Sequence, residues 1–488
     1  MRLTNDHLEC EKINAILNNR AYNIDIDKTL SLLLSYLKQG KNEHKKAKIV
    51  LFLRKHRKSV NTKALAEALD ISENTAKEIL YNNCGTAIFP VTGEKTKPIK
   101  VHAIPLSNTT LSFPADKNIK RALETIKKAT GKQFMALFED KFYGNSYMLA
   151  LAAALITQET IERYLFTGAI DASGNIIGVE NLQEKTLLAK YLKKPLIHSG
   201  IFKKLEELET FLKERKVDIP LLVVLKKQAL RGVFDKFYNA IKSHYNLESM
   251  GIFEIEKSMC IYQTNYSMLP DTPWDELLDG IARRISSVKD RITGVTPVFH
   301  IAILGPSAFA FCLGAMFGLT DPFVLYHYTN GEYKIALNFR DDDLRKLKQH
   351  PSRFRLLDCN IPNTQQRINT LAMVYFLASH QPIGDVKKFI DELESCKLAT
   401  CKVKTNASIV QGNIPIETWE HVVQEMYLCY NKTKELAVNR RMFFLSLPVP
   451  LAFALGAVIG SAEDADVMHF GAKNRYFKAC NLLKRLKR

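Results

Sequence analysis

The sequence predicts a multidomain protein of mixed α/β and α+β class. It comprises an N-terminal helical, winged-helix-like module, an α+β middle segment, and a C-terminal region of two doubly wound α/β halves. Three observations carry this. The chain has 488 residues, more than one hydrophobic core serves, so roughly two to four domains are expected. From about residue 115 onward, helical and strand-like patterns alternate. The C-terminal part repeats itself at a fixed spacing.

Composition narrows the class. Hydrophobic content of 46% and charged content of 25% are those of an ordinary globular chain. A net charge of +18 points to a polyanionic partner such as nucleic acid, a nucleotide or a membrane surface. The nine cysteines are dispersed without a CxxC pair, and Cys396 and Cys401 have no matching His/Cys pair downstream. No metal site and no cofactor are expected, and the thiols fit a reducing cytosol. The N-terminus lacks an apolar signal core, so a cytoplasmic protein is expected.

Residues 1–108 read as the helical module. Leu30 to Leu37 is amphipathic, and Val60 to Leu80 reads helix, short turn, helix, with Ser72 capping the second helix. This resembles a helix-turn-helix. Ala87 to Leu106, with a turn at Thr92-Gly93-Glu94, is the expected wing. The face Glu73, Lys77, Glu78 carries no arginine, so DNA binding here is the weaker reading beside protein docking.

Pro105 to Pro114 is a loop-like boundary, and residues 109–252 form the middle segment. Helices are expected over Ala115–Gly131, Ser146–Thr157, Glu180–Tyr191 and Phe202–Arg215. Strands are expected over Gln133–Phe138, Phe166–Ala172, Ile176–Gly178 and Pro195–His198.

Residues 253–488 carry the duplication. Pro306/Pro448, Ala310/Ala452, Phe311/Phe453, Leu313/Leu455 and Gly314/Gly456 are identities 142 residues apart, and His327 aligns with His469. The halves are expected at about 290–345 and 435–488, with a helical segment between them. Ile301–Leu319 and Phe443–Gly460 are charge-free and near membrane-spanning length. Each is explained instead as a buried strand, a proline turn and an apolar helix, so no membrane partner is expected.

One pair of residues names a reaction. Ser146 follows Gly144-Asn145 and opens an apolar helix, and Lys185 sits among Leu182, Leu188 and Ala189. A serine hydroxyl needs a base, and a lysine serves as one only when burial disfavours its ammonium form. Helix-start N–H groups favour developing negative charge. Taken alone, a serine before an apolar helix is usually a helix cap and a lone lysine usually a solvated charge. The set Gly144, Ser146, Thr167, Gly168, Ile170, Gly174, Leu182, Glu184 and Lys185 resembles the proteolytic domain of the Lon family. That resemblance implies a Ser146 nucleophile, a Lys185 general base, and supporting roles for Gly144, Asn145 and Thr167. Asn145, Tyr147, Met148, Ala169, Glu180 and Asn181 depart from the family motif, and Tyr147 and Met148 are expected to narrow the substrate groove. No GxxxxGK[ST] motif is present, so ATP-driven unfolding is not expected.

The duplicated region resembles a SAVED domain, two fused CARF-like units that bind cyclic oligonucleotides. In open α/β sheets ligands bind beyond the carboxyl ends of the strands. The expected ligand residues are Gly305, Pro306, Ser307, His327, Tyr328, Lys334, Arg340, Pro448, Val449, His469, Phe470, Lys473 and Arg475. Together the two resemblances match the CRISPR-associated Lon–SAVED proteases (the CalpL type). They imply an ATP-independent Ser-Lys endopeptidase of type III CRISPR antiviral signalling, activated by cyclic oligoadenylate, with cyclic tetra-adenylate favoured. They further imply ligand-driven self-association of SAVED domains and a dedicated protein substrate encoded nearby. The rival reading is a cyclic-nucleotide-responsive transcription regulator with a dead Lon-like domain.

Overall fold

A computed structural model describes residues 11, 13–18, 26–93, 96–225, 232–264, 274–393, 395–405, 407–471 and 474–483. The chain forms two compact units, Met1–Arg215 and Lys216–Arg488.

In the first unit four helices come early: α1 (Ile26–Gln39), α2 (Glu43–Lys55), α3 (Thr62–Leu69) and α4 (Glu73–Tyr81). Asn42, Asn61 and Ser72 cap the starts of α2, α3 and α4 by accepting the N–H of Lys45, Ala64 and Thr75. Asp70 makes the turn between α3 and α4 in the left-handed region, with φ 54°. Their apolar faces, including Leu33, Leu53, Leu65, Ile79 and Leu80, share one core with Ile104, Leu106, Met135 and Leu137.

Those last four residues belong to a six-stranded sheet of order β3-β4-β2-β1-β5-β8. Its strands are β1 (Gly85–Val91), β2 (Lys97–Leu106), β3 (Leu111–Phe113), β4 (Gln133–Phe138), β5 (Thr160–Thr167) and β8 (Leu196–His198). A small ribbon of β6 (Ala169–Ile170) and β7 (Ile176–Ile177) stands apart from it. Helices α5 (Lys117–Thr130), α6 (Met148–Thr157), α7 (Leu182–Tyr191) and α8 (Leu205–Glu214) complete the unit.

Two expectations are corrected here. The expected wing is not a wing: β1 and β2 are interior strands of the sheet, and β1 is buried along its whole length. Of the expected turn, Glu94 lies outside the described residues. The boundary at 108/109 therefore falls inside one sheet, because β2 pairs with β4 from Val101↔Phe138 to Leu106↔Gln133.

The second unit begins at β9 (Lys216–Val224), 37 residues before the expected boundary at 253. The reason is pairing at long range. β9 runs parallel to β11 (Thr296–Leu304) along its full length, from Lys216↔Thr296 to Val224↔Leu304. The sheet order is β10-β9-β11-β12-β13, with β10 (Ile261–Gln263), β12 (Phe323–Thr329) and an antiparallel β13 (Glu332–Asn338). Helices α9 (Val233–Lys242), α10 (Trp274–Lys289) and α11 (Ser307–Phe317) accompany it.

A second sheet repeats this plan in the order β14-β16-β15-β17-β18-β19. Its strands are β14 (Leu357–Asn360), β15 (Ile368–Phe376), β16 (Cys396–Val403), β17 (Val438–Ser446), β18 (Ala465–Phe470) and β19 (Tyr476–Asn481). Its helices are α12 (Ile383–Asp391), α13 (Trp419–Thr433) and α14 (Val449–Ile459). Each half is thus larger than the sequence reading allows, and the expected helical segment between halves supplies β14, β15 and β16 of the second sheet. β11 and β17, and likewise α11 and α14, differ by 142 residues at both ends.

The apolar helices α11 and α14 pack backbone to backbone at Gly314 and Gly456. A Cβ on either glycine would overlap the carbonyl of Phe453 or Phe311. The two stretches that imitate membrane spans are the ends of β11 and β17 joined to these helices. Among the described residues no helix is long and apolar enough to cross a membrane. The expectation of separate thiols is also corrected, because Cys359 is disulfide-bonded to Cys429, and Cys312 to Cys480. These partners lie 70 and 168 residues apart, a pairing that only the tertiary fold creates.

Candidate functional site

The first candidate site lies at the carboxyl end of β5, within the first unit. Gly144 holds the left-handed region with φ 76°, which turns the chain into α6. The turn is tied to the strand end by two backbone hydrogen bonds. Gly168 N–H donates to Ser146 O at 3.1 Å, and Leu149 N–H donates to Gly168 O at 3.1 Å. Ser146 is thereby fixed against the residue that follows Thr167. Tyr147 is 1% exposed, and its ring packs with Phe138 and Phe142 at 5.0 and 4.8 Å.

Lys185 lies on α7, in the same unit. That helix starts after Asn181, which holds φ 57°. Asparagine is among the few non-glycine residues that tolerate the left-handed region, so the departure from glycine at this position is sterically accommodated. The inner face of α7 carries Leu182, Lys185 and Ala189, and Leu182 and Ala189 pack with Ile88, Leu165 and Leu196. Lys185 therefore points inward, with 4% exposure.

Burial holds the Lys185 amine below lysine's ordinary value, against the opposing pull of Glu180 and Glu184. The amine forms no hydrogen bond or ion pair with any described residue. At the end of β5, Thr167 is fully buried and its hydroxyl has no partner among the described residues. Ser146 is 7% exposed, and no hydrogen bond joins its Oγ to Lys185 Nζ. Buried polar groups are normally paired, so the Thr167 hydroxyl calls for an explanation.

A cavity of about 1160 Å³ adjoins the turn. Gly144, Asn145, Tyr147 and Met148 line one side, Ala169, Ile170 and Ile177 another, and Asp116 and Arg121 contribute charge.

The second candidate site lies in the second unit, at the carboxyl ends of its parallel strands. Pro306 and Pro448 are the residues preceding α11 and α14. The two turns meet, because Ser307 Oγ donates to Leu445 O at 3.0 Å. Gly305 abuts Leu225, and Val449 opens α14.

His327 and His469 are half-buried, and burial pushes both imidazoles below the ordinary histidine value. Each packs on a tryptophan from the opposite half: His327 on Trp419 and His469 on Trp274, both at 5.2 Å. These are the chain's only tryptophans. Sequence reasoning passed over them, although their separation of 145 residues nearly matches the repeat and would have flagged them.

Lys334 faces His327 across the β12–β13 ladder and is exposed. Tyr328 is also exposed, Phe470 lies 6.2 Å from His380, and Arg475 is exposed in the β18–β19 turn. Lys473 lies outside the described residues. Arg340 is a correction. It sits at the opposite end of the sheet, where its guanidinium donates to both Asp218 oxygens at 2.9 and 3.0 Å. Burial alone would raise the Asp218 carboxyl, but His300 and Arg340 hold it below the ordinary value. Arg340 closes a buried structural network and is not available to a ligand at the strand ends.

No family model and no curated protein match the chain. Several solved structures are similar to it at low identity. One is the Cap4 SAVED/CARF-domain containing receptor of Acinetobacter baumannii with the cyclic trinucleotide 2′3′3′-cAAA: 13% identity and a TM-score of 0.36, covering 99% of this chain and 86% of that one. The same receptor with 3′3′3′-cAAA gives 13% and 0.35 at the same coverage. The Cap4 SAVED/CARF-domain containing receptor of Moraxella osloensis gives 13% and 0.32, covering 98% and 86%.

Proposed function

We propose that the chain is a serine peptidase with a Ser146/Lys185 dyad, switched on by a cyclic oligonucleotide bound to its C-terminal halves. The observations that carry the reading are a lysine, Lys185, whose side chain is buried on the inner face of α7 and whose amine is held below its ordinary value by that burial, and a fully buried, unpartnered hydroxyl, Thr167, at the strand end to which the Ser146 turn is bonded. An isolated buried ammonium is costly, and a depressed pKa is what a general base requires.

In the proposed reaction the neutral Lys185 amine takes the Ser146 proton as Oγ attacks the scissile carbonyl. The N–H groups of the Gly144–Tyr147 turn face the developing oxyanion. Lys185 returns the proton to the leaving amine, and water then releases the acyl group by the reverse use of the same pair. Thr167 accepts or donates one hydrogen bond to hold the lysine rotamer. Because Ser146 Oγ and Lys185 Nζ are not bonded, the dyad is expected to be nearly idle until association of the C-terminal halves draws it together.

The sensor half of the reading rests on the two proline turns that meet through Ser307 and Leu445, and on the crossed His–Trp pairs at the strand ends. A cyclic oligoadenylate supplies phosphates for Lys334 and Arg475 and bases for the aromatic residues. The test is cleavage of the protein encoded beside this one, with cyclic tri- and tetra-adenylate added separately. Ser146→Ala and Lys185→Ala should abolish cleavage while leaving nucleotide binding intact. Cleavage that survives both changes rejects the dyad.

A further inference from the structure

The first unit holds a second cavity, of about 810 Å³, that the proposed peptidase does not use. It lies where the end of α2 and the turn Arg57–Ser59 meet β1 and β2. Its size falls within the range of small-molecule sites, about 300–1,000 Å³.

The wall is strongly basic. Arg54, Lys55, Arg57, Lys58 and Lys100 line it against a single carboxylate, Glu139. Some of these cations are already engaged. Arg54 donates to the backbone carbonyls of Ile79 and Asn82 at the end of α4, and Lys100 pairs with Glu162 at 2.8 Å. Arg57 lies over the Tyr81 ring at 5.6 Å. Lys55 and Lys58 are exposed and have no ion pair among the described residues. Two basic residues at the end of α2 are accounted for by the helix dipole. Arg57, Lys58 and Lys100 lie beyond that helix and are not.

The floor is built rather than incidental. Thr86 and His102 face each other across the β1–β2 ladder, with Thr86 Oγ1 and His102 Nδ1 2.9 Å apart. His102 Nε2 and Glu139 Oε1 are 2.8 Å apart. Thr86 and His102 are each 7% exposed. A carboxylate partner at Nε2 fixes the proton there, so Nδ1 accepts from the threonine hydroxyl. The chain of bonds satisfies the buried polar atoms and holds the floor rigid, leaving the cations at the mouth to take a ligand.

We propose that this cavity binds a small phosphate-bearing ligand of about nucleotide size. Lysine and arginine arranged around a concave, preorganised site concentrate positive potential where an anion enters. An extended nucleic acid would need a continuous track of cations along a surface, whereas here four come from the short segment 54–58 and one from β2, and all line one cavity.

The test uses the full chain and inorganic pyrophosphate, which has no base for the C-terminal halves to stack. Binding is followed by calorimetry and by hydrogen exchange of residues 51–59. Adenosine triphosphate and a ten-nucleotide single strand serve as separate arms. The expected result is pyrophosphate binding with protection of 51–59, weakened at least tenfold in the double variant Lys55→Ala/Lys58→Ala. Absence of pyrophosphate binding overturns the proposal, as does equal binding by the double variant. Binding of the single strand alone also overturns it and makes the patch a nucleic-acid surface. Because no arm measures cleavage, the result stands apart from the fate of the Ser146/Lys185 reading.

Discussion

Replacing Lys185 with methionine should separate function from stability. Methionine keeps the length of the side chain and removes the charge, at a position that is 4% exposed on the helix that also carries Leu182 and Ala189. Loss of the base should lower cleavage by on the order of 10²–10⁴-fold. The same change removes a buried ammonium that Glu180 and Glu184 compensate only in part, so it should stabilise the first unit by about 1 kcal/mol. For a unit of this size that corresponds to a rise of about 2–4 °C in Tm. The sign with pH is fixed. Because the folded amine titrates below the ordinary 10.5, its cost is fully present at low pH. That cost fades as pH rises from the depressed value to 10.5, and the Tm advantage of methionine should fade with it. The assay is thermal unfolding of the full chain at pH 6 to 10 beside cleavage of the partner protein. A variant that loses activity and also melts earlier would show a structural lysine, and a variant that keeps activity would remove the base altogether.

Three further outcomes follow from the geometry. Thr167→Val, which replaces a fully buried, unpartnered hydroxyl by a methyl group, should not lower Tm and should reduce cleavage roughly tenfold; a large loss of stability would mean the hydroxyl is bonded. Gly314→Ala should destabilise the second unit by about 1–3 kcal/mol in urea unfolding, since its Cβ meets the Phe453 carbonyl, and Gly456→Ala should act alike because the contact is reciprocal. A cyclic oligoadenylate should change the intrinsic tryptophan fluorescence, because both tryptophans pack on the histidines at the strand ends; Trp274→Phe and Trp419→Phe should each remove part of the change.

The legible parts of the fold are those set by local or repeated pattern. Ser72 reads as a cap from its neighbours and caps α4 through Thr75. Gln133–Phe138 reads as a strand and is β4. The 142-residue repeat spacing is the offset between β11 and β17 and between α11 and α14. What escaped depends on partners remote in the chain. Val217 to Val224 reads as a buried strand only once β11 is known to lie beside it, some 80 residues on. The strands at 85–106 look like a wing until β4 and β5 enclose them. Arg340 looks like a phosphate ligand until Asp218, 122 residues away, takes the Nε–Nη2 edge of its guanidinium and Asp341 takes Nη1. At the candidate active site, residue identity suggested Ser146 and Lys185, but the burial that gives them chemical meaning comes from α7 packing on the sheet, which no spacing reveals.

The most direct measurement is cleavage of the neighbouring protein by the wild-type chain, Ser146→Ala and Lys185→Ala, each with and without cyclic tetra-adenylate. The account predicts cleavage by the wild-type chain alone, and only when the nucleotide is present. Cleavage by either variant, or equal cleavage without nucleotide, would contradict it.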